Sequence, residues 1–287
     1  MLLGIIILNY NTWKETCTCI NSINKFYDES PYKIYIVDNC SSEKISEKQE
    51  MRLSSFHNIE IIYNKENKGY AAGNNIGLKK AIDDRCTHFL ICNSDIAIVD
   101  KSVSQMCCYM NENPEVGIVG PQIYNIKNEF QPLYMLCQLD GIGKLKNMAL
   151  KTPFKIFLKN FEHNFIRRKE ISEPLDVFGV SGSCFMISER CIHEVYPLDE
   201  NTFLYEEEYI LGYKMKKSRY KIRIIPETHI IHAHGVSANR VSRFAYQCMI
   251  DSEQYYLKEY LHTNFFLRKL IWVIRILIKR KYESASV

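Results

Sequence analysis

Three short stretches of the sequence gather residue types that carry catalytic chemistry. The first is FLICNSDIAIV at positions 89–99, an apolar run that Asn93, Ser94 and Asp95 interrupt. A carboxylate is costly to bury without a partner. The stretch therefore indicates a buried strand that ends at a polar site, with Asp95 as a candidate ligand-binding residue.

The second stretch is the run Glu206, Glu207 and Glu208, at the start of a helix predicted over residues 206–218. Acidic residues are favoured in the first turn of a helix, which is the structural interpretation. Three adjacent carboxylates also repel one another, so the pKa of one can rise into the range that a general base needs. The run is thus a candidate for proton transfer as well as for helix stabilisation.

The third stretch, ETHIIHAHGVS at positions 227–237, contains His229, His232 and His234. His232 and His234 share a face if the segment is extended, because they are two residues apart. Imidazole is a common metal ligand, although an isolated histidine is more often an ordinary polar side chain. The cluster is consistent with a metal site as well as with a structural role.

The elements that must position these residues follow from short β-branched runs that alternate with helix-compatible segments. This alternation predicts a βαβαβα unit whose parallel sheet is buried on both faces. The predicted strands are residues 3–8, 34–38, 59–63 and 88–93, and the predicted helices are 12–26, 43–53 and 71–83. Further strands are predicted at 184–187 and 221–225.

Ligands of such sheets bind at the carboxyl ends of the strands. Polar residues also follow strands because they make turns, but here four strand ends in succession are polar, which favours a ligand-binding edge. The glycines of residues 67–77 would let the backbone approach a phosphate or sugar, and the following helix N-terminus offers free N–H groups. The strand ends are Asn9-Tyr10-Asn11, Asp38-Asn39, Asn64 and Asn93-Ser94-Asp95.

Composition narrows the class of protein. A chain of 287 residues with 46% apolar residues suits one large α/β domain, alone or with an appendage. Eleven cysteines without a CxxC pair suggest neither a disulfide framework nor a zinc site, and no secretory leader is apparent, so we expect a cytoplasmic protein. Six of the basic residues lie in 260–281, and the remaining 31 Lys/Arg face 33 Asp/Glu. Nucleic-acid binding is therefore not implied.

Two segments depart from the alternating pattern. Residues 125–175 read as a variable insertion, with eight Lys/Arg and one acid between positions 144 and 169. They form either a solvated face or a contact with an anionic or membrane-linked acceptor. The tail, residues 264–281, mixes apolar and basic residues, but its uninterrupted apolar piece is far shorter than the ~20 residues that span a bilayer. It is predicted to lie in an anionic membrane interface or to pack on the catalytic domain.

Across residues 1–240 the motifs resemble those of the family 2 glycosyltransferases, and in particular the rhamnosyltransferase-like branch of bacterial surface-polysaccharide synthesis. The resemblance implies a GT-A fold, an α/β architecture with a mainly parallel central sheet flanked by helices, here followed by a C-terminal helical tail (241–287). It also implies a UDP- or dTDP-sugar donor, Mn²⁺ or Mg²⁺, and inversion at the anomeric carbon. The motifs are IIILNYNTW, IVDNCSS, NKENKGYAAGNNIGL, LICNSDIAI, VSGSCFMIS, PLDENTFLYEEEYILGYKM and IIHAHGVS.

The resemblance assigns roles by position. Asn93-Ser94-Asp95 occupies the place of the family's DxD motif, so Asp95 would bind the metal, with His232 or, alternatively, His234 as a further ligand. The catalytic base would be Glu208, with Glu207 as the second candidate because Glu206 blurs the register. The nucleotide-sugar pocket would be lined by Asn9, Tyr10, Asp38, Asn67, Gly69, Asn74, Asn93, Asp95, Gly182 and Ser183.

The same resemblance points to partners and leaves an alternative open. The acceptor would be a glycan hydroxyl, linked to a polyprenyl diphosphate, and the enzyme would be peripheral on the inner face of the plasma membrane. The alternative is a catalytically inactive family member that binds nucleotide sugars or acts as a scaffold. A sugar-phosphate nucleotidylyltransferase is disfavoured because Asn9-Tyr10-Asn11, after the first strand, has no glycine. A kinase and a dehydrogenase are disfavoured because no P-loop or G-x-G-x-x-G follows a strand.

Overall fold

The first half of the chain forms a parallel sheet. The computed structural model describes residues 1–150, 157–158, 169–233 and 243–284. Four strands lie in the order β3-β2-β1-β4, and each neighbouring pair is parallel. The predicted βαβαβα unit is thus confirmed. These strands are β1 (Leu3–Asn9), β2 (Tyr32–Asp38), β3 (Ile59–Tyr63) and β4 (His88–Asn93).

The second half extends this sheet in a mixed arrangement. Beyond β4 the order continues β9-β6-β10-β5, and β9 is antiparallel to both β4 and β6, whereas β10 is parallel to β6. β10 runs past the predicted end at residue 225, with a register shift between Ile224 and His229, and reaches His232 beside β5. These strands are β5 (Ile96–Ile98), β6 (Val116–Tyr124), β7 (Phe130–Gln131), β8 (Leu175–Val177), β9 (Cys184–Ser188) and β10 (Lys221–His232).

Helices cover both faces of the sheet. Alternate residues of β1 enter two separate cores, with Ile5 and Ile7 in one and Ile6 in the other, as expected for a strand buried on both sides. The helices are α1 (Trp13–Phe26), α2 (Glu47–Ser54), α3 (Tyr70–Asp83), α4 (Ser102–Glu112), α5 (Gly141–Ala149), α6 (Glu189–Val195), α7 (Glu207–Lys216), α8 (Arg243–Tyr255), a π-helix (Tyr256–Tyr260) and α9 (Phe265–Ser284).

The C-terminal helix packs against the segment predicted to be an insertion. α9 and α5 share a third apolar cluster around Met148, Leu257 and Ile271. Arg275 of α9 also forms a bidentate ion pair with Glu253 of α8, which is fully buried. The boundaries predicted at residues 125–175 and 240 stay predictions. None of the helices in the described part of the chain has the length and hydropathy needed to cross a membrane.

The cysteines are all free, and most of them lie in the interior. Cys19 and Cys92 are in contact, with their sulfur atoms 3.8 Å apart, behind the turn that contains Asp95. Cys40, Cys108 and Cys137 are exposed. Buried thiols of this kind pack as small apolar side chains.

Candidate active site

The ends of β1 and β2 form one wall of the site. Asn9 is fully buried, and its side-chain amide donates to Asp38 at 2.7 Å while its oxygen accepts from the Thr16 hydroxyl at 2.8 Å. Asp38 also accepts hydrogen bonds from the side chain and backbone N–H of Ser41. Tyr10, next along the chain, is half exposed at the same edge. The wall is therefore rigid inside and presents one aromatic ring to solvent.

The glycine-containing segment after β3 is fixed to the segment that precedes the glutamate run. Gly69 has φ +97°, and a Cβ at this position would overlap the carbonyl oxygen of Phe203. The backbone N–H of Tyr70 donates to that same oxygen at 2.9 Å. Asn67 supports the turn, since its side-chain oxygen accepts from the Gly69 N–H at 2.9 Å. Only glycine fits this close approach.

Asn74, the remaining member of the predicted donor segment, lies inside α3. It is fully buried, and its side-chain amide donates to the Tyr70 carbonyl at 3.0 Å. Its immediate contact is thus with the first turn of its own helix. Asn67 and Gly69 lie nearer the strand edge, in the turn itself.

Asp95 and His232 meet at the carboxyl end of the sheet. The pairing of β5 with β10 brings His232 opposite Ile96, and the Ala233 N–H donates to the Asp95 carbonyl at 2.9 Å. As a result, His232 Nε2 lies 3.3 Å from Asp95 Oδ1. Both side chains are largely buried, with exposures of 16% and 12%. The predicted pairing of these two residues is therefore present in the fold.

This pair fits one side of a divalent-cation site. A carboxylate and an imidazole are suitable ligands for Mn²⁺, and a diphosphate and water can fill the remaining positions. Within the ranges that the structure describes, no group of three or more His, Cys, Asp or Glu residues could hold a metal. His234 lies outside the described residues, as do Gly235 and Ser237 of the histidine motif. Protein ligands alone would thus leave most of the coordination sphere to the substrate.

Asn93 and Ser94 connect the Asp95–His232 pair to the rest of the site. The backbone N–H of Asn93 donates to the Ser183 carbonyl at 2.8 Å. The Ser94 and Thr12 hydroxyls are 2.9 Å apart, and Thr12 donates in turn to Asn9. The Asn93-Ser94-Asp95 turn therefore lies between the wall formed by the ends of β1 and β2 and the Gly182-Ser183 segment.

The three glutamates have three different environments. Glu206 is buried and accepts two hydrogen bonds from Lys144 of α5, at 2.6 and 2.7 Å. Glu207 lines a small apolar cavity, where burial and the neighbouring Glu208 raise its pKa well above the ordinary value. Glu208 points to Gly182, whose N–H donates to its Oε1 at 3.1 Å.

Gly182 is held from two sides. Besides the Glu208 contact, its carbonyl oxygen accepts a short hydrogen bond from the hydroxyl of Tyr70. Since Ser183 bonds the Asn93 N–H, the two-residue segment Gly182-Ser183 connects Glu208 directly to the turn that contains Asp95. Burial raises the pKa of Tyr70 well above its usual value, so its hydroxyl stays protonated and donates.

Sequence reasoning missed Lys144 and Tyr70. Lys144 belongs to the basic stretch of residues 144–169, yet its side chain is only 3% exposed and forms an ion pair with Glu206. The partners are 62 residues apart in sequence, and no local periodicity could connect them. The Tyr70 position was visible within the glycine segment, but its contact spans 112 residues. Most of the remaining basic residues of positions 144–169 lie outside the described residues.

These features define a GT-A glycosyltransferase: a mixed sheet flanked by helices, a turn with a carboxylate at the carboxyl edge of the sheet, and beside it a helix that begins with glutamates. The model of the family "Glycosyl transferase family 2" matches residues 4–195, and the chain belongs to this family. Both the fold and the family expected from the motifs are thus confirmed.

Curated relatives include sugar transferases of two kinds. A low-salt glycan biosynthesis hexosyltransferase, Agl10 of Haloferax volcanii, is 25% identical and aligns with 98% of this chain and 86% of its own. The dTDP-rhamnosyl transferase RfbF of Shigella flexneri is 22% identical over 80% of this chain and 68% of its own. The N-acetylglucosaminyl-diphospho-decaprenol L-rhamnosyltransferase of Mycobacterium tuberculosis is 21% identical over 86% and 81%. The rhamnosyltransferase-like character is thereby supported.

Solved structures share the fold at low sequence identity. A crystal structure of GalNAc-T7 with UDP, GalNAc and Mn²⁺ superposes with a TM-score of 0.66 at 15% identity, covering 89% of this chain and 47% of that one. The chain thus spans about half of that protein. S. aureus TarS 1–349 in complex with UDP-GlcNAc gives a TM-score of 0.54 at 14% identity, covering 91% and 72%.

Proposed function

We propose that this glycosyltransferase moves a sugar from a UDP- or dTDP-sugar to a hydroxyl of a lipid-linked glycan, with inversion at the anomeric carbon. The observation that carries the proposal is the connection between the Asp95 turn and Glu208, in which the Asn93 N–H donates to the Ser183 carbonyl and the Gly182 N–H donates to Glu208. It supports the proposal because Asp95 and Glu208 are the candidate metal ligand and the candidate base. The alternative is an inactive nucleotide-sugar-binding or scaffold subunit, which requires no base at Glu208.

In this proposal Asp95 and His232 would hold a divalent cation, Mn²⁺ or Mg²⁺. The cation, when bound, supplies neutralising charge for the nucleoside diphosphate as it leaves. Asn9, Tyr10 and Asp38 form the wall for the base and ribose, and the turn of Asn67 and Gly69 lies beneath the donor. The relatives whose names include dTDP-rhamnosyl and L-rhamnosyl transfer favour dTDP-rhamnose as the donor to test first.

Glu208 acts as the general base of the transfer. Its carboxylate takes the proton of the acceptor hydroxyl while that oxygen bonds to the anomeric carbon and the bond to the diphosphate breaks. Gly182 holds the carboxylate in place through its N–H before the acceptor arrives. Attack from the face opposite the diphosphate inverts the anomeric centre.

The acceptor is proposed to be linked to a polyprenyl diphosphate, as in the name of the mycobacterial relative. α9 supports a location at the inner face of the membrane, because one of its faces is apolar and exposed. Phe266, Leu270, Val273 and Leu277 recur at helical spacing and form this face, which we call the α9 stripe. Lys269, which is exposed on the same helix, would meet anionic headgroups.

A thermal-shift panel tests the donor site. UDP, dTDP, GDP and CMP are each added with and without Mn²⁺, and one nucleoside diphosphate is expected to raise Tm only with metal. Asp95→Ala should abolish that rise, whereas Asp100→Ala, outside the edge, should keep it. If no nucleotide stabilises the folded wild type, the binding proposal is wrong and the scaffold alternative gains support.

A further inference from the structure

Lys144 and Glu206 form an ion pair in the interior, beside the proposed catalytic base. The Lys144 ammonium contacts both carboxylate oxygens of Glu206 and lies 3.7 Å from the centre of the Tyr209 ring. Only 3% of Lys144 and 8% of Glu206 is exposed. Replacing a buried ion pair by apolar residues is often neutral for stability. The pair therefore calls for a role other than stability alone.

Three elements fix the segment that leads into α7. The Tyr70 N–H at the start of α3 donates to the Phe203 carbonyl, and the Ser252 hydroxyl of α8 donates to the Leu204 carbonyl at 2.8 Å. Lys144 of α5 then holds the Glu206 side chain. Of these contacts, the one from Lys144 lies closest in sequence to Glu208.

The backbone at this point requires support. Tyr205 and Glu206 have φ values of +72° and +69°, so two successive residues with side chains adopt the left-handed conformation. Such residues persist only where their surroundings hold them. The Glu206 carbonyl also accepts the Ile210 N–H at 2.9 Å, which is the first hydrogen bond of α7. The position of Glu206 thus determines where the helix begins.

We propose that Lys144 is a positioning residue, which fixes the start of α7 through its ion pair with Glu206 and so holds the Glu208 carboxylate against Gly182. The inference rests on the proposed function, in which Glu208 is the base. It also explains the extra acid in the run, since Glu206 is the partner of Lys144 and leaves the proton transfer to Glu208.

The charged groups around the pair predict how pH acts on its variants. Glu207 and Glu208 follow on α7, Tyr209 and Tyr256 flank the ammonium, and the Glu253–Arg275 pair lies beyond. Burial raises the pKa of Glu206 in the wild type, and Lys144 opposes that rise. Without Lys144 the pKa rises further, so Glu206 stays in place while protonated and is destabilised as it ionises at higher pH.

The experiment compares Lys144→Met, Glu206→Gln and the double variant, with Lys146→Met on the exposed face of α5 as control. Tm is measured between about pH 5.5 and 8.5 without ligand. Relative to the double variant, Lys144→Met should lose stability as pH rises. Glu206→Gln should be less stable than the double variant, because it leaves the Lys144 ammonium buried without its carboxylate partner.

The same variants are assayed for nucleoside diphosphate release from dTDP-rhamnose and UDP-sugars. Lys144→Met is expected to lower kcat about tenfold or more at the alkaline end, with donor KM within about threefold of wild type. Part of that loss should disappear at the acid end, where Glu206 is neutral. The double variant should show no such pH dependence, and Lys144→Arg should restore part of kcat.

A wild-type kcat and pH profile in Lys144→Met would overturn the inference, as would an equal loss in Lys146→Met. If Lys144→Met does not fold at any pH, the comparison of Glu206→Gln with the double variant decides, and equal stability of these two variants refutes the ion-pair argument. Glu208→Gln, assayed in parallel, separates the two proposals. An active Glu208→Gln contradicts the base, whereas an inactive one with normal Lys144→Met contradicts only the positioning role.

Discussion

Glu207 and Glu208 are adjacent in the chain, yet only one of them reaches the Gly182 segment. Glu208 accepts the Gly182 N–H, while Glu207 turns into a cavity lined by Ala71 and Leu198 among others. We therefore expect Glu208→Gln to lower kcat by at least about 100-fold, the usual contribution of a general base. Glu207→Gln should stay within about tenfold of wild type. Initial rates of nucleoside diphosphate release check both, and the reverse ranking would identify Glu207 as the base.

Glu207 also sets a pH dependence of stability. Burial and the neighbouring Glu208 raise its pKa in the folded protein above the unfolded value. Its ionisation therefore favours the unfolded chain as pH rises from the unfolded pKa through the folded one. Glu207→Gln should therefore become more stable than wild type as pH rises from about 4 to about 8. Urea denaturation at both pH values measures the difference, and a constant offset would contradict it.

At the scale of elements, the turn before α3 and the segment before α7 form one unit. Gly69 joins them, because its φ of +97° and its contact with the Phe203 carbonyl leave no room for a side chain. Gly69→Ala should cost about 2–4 kcal/mol of stability and abolish nucleotide-dependent stabilisation. Lys68→Ala, at the exposed neighbouring position, should do neither. Chemical denaturation and the thermal-shift panel report the two effects, and a stable, nucleotide-binding Gly69→Ala would refute the argument.

At the scale of the whole molecule, the α9 stripe is proposed to set where the protein resides. Replacing Phe266, Leu270, Val273 and Leu277 by serine should reduce co-sedimentation with vesicles containing phosphatidylglycerol by about tenfold or more. Deleting α9 is a poorer test, because it also removes the buried partner of Glu253. Met51→Ser with Ile126→Ser, two exposed apolar residues elsewhere, is the control. Membrane docking would be refuted if the α9 stripe variant co-sedimented as the wild type does. It would also be refuted if the wild type did not co-sediment with vesicles at physiological salt.

Much of the architecture was predictable because its causes are local. Apolar β-branched runs mark β1 to β4, and the polar residues at the ends of these strands, such as Asn9 and Asp38, do come together. The insertion of β9 between β4 and β6 was not predictable, since antiparallel pairing across long separations leaves no periodic signal. Pro226 interrupts the apolar run of β10, so the strand was predicted to stop before the irregularity that carries it on to His232.

In the candidate site, too, the residues with local signals were predictable, and the contacts between distant parts of the chain were not. Asp95, the glutamate run and the histidine cluster stood out by residue type and position in the chain, and the family resemblance then singled out Glu208 and His232. The fold brings Asp95 and His232 into contact. Their roles in metal binding and proton transfer stay predictions. The contacts of Lys144 and Tyr70 could not be predicted because they join distant parts of the chain, and a lysine in a basic stretch is usually solvated.

The alkylation rates of the free cysteines report local opening of the fold. Cys40, Cys108 and Cys137 are exposed and would be alkylated at once, whereas Cys19 and Cys92 lie behind the Asp95 turn and react only when that edge opens. Pulsed alkylation followed by peptide mass spectrometry would thus measure how often this edge of the sheet opens at Cys19 and Cys92. Because no probe has to be introduced, the same native chain can be followed with and without donor.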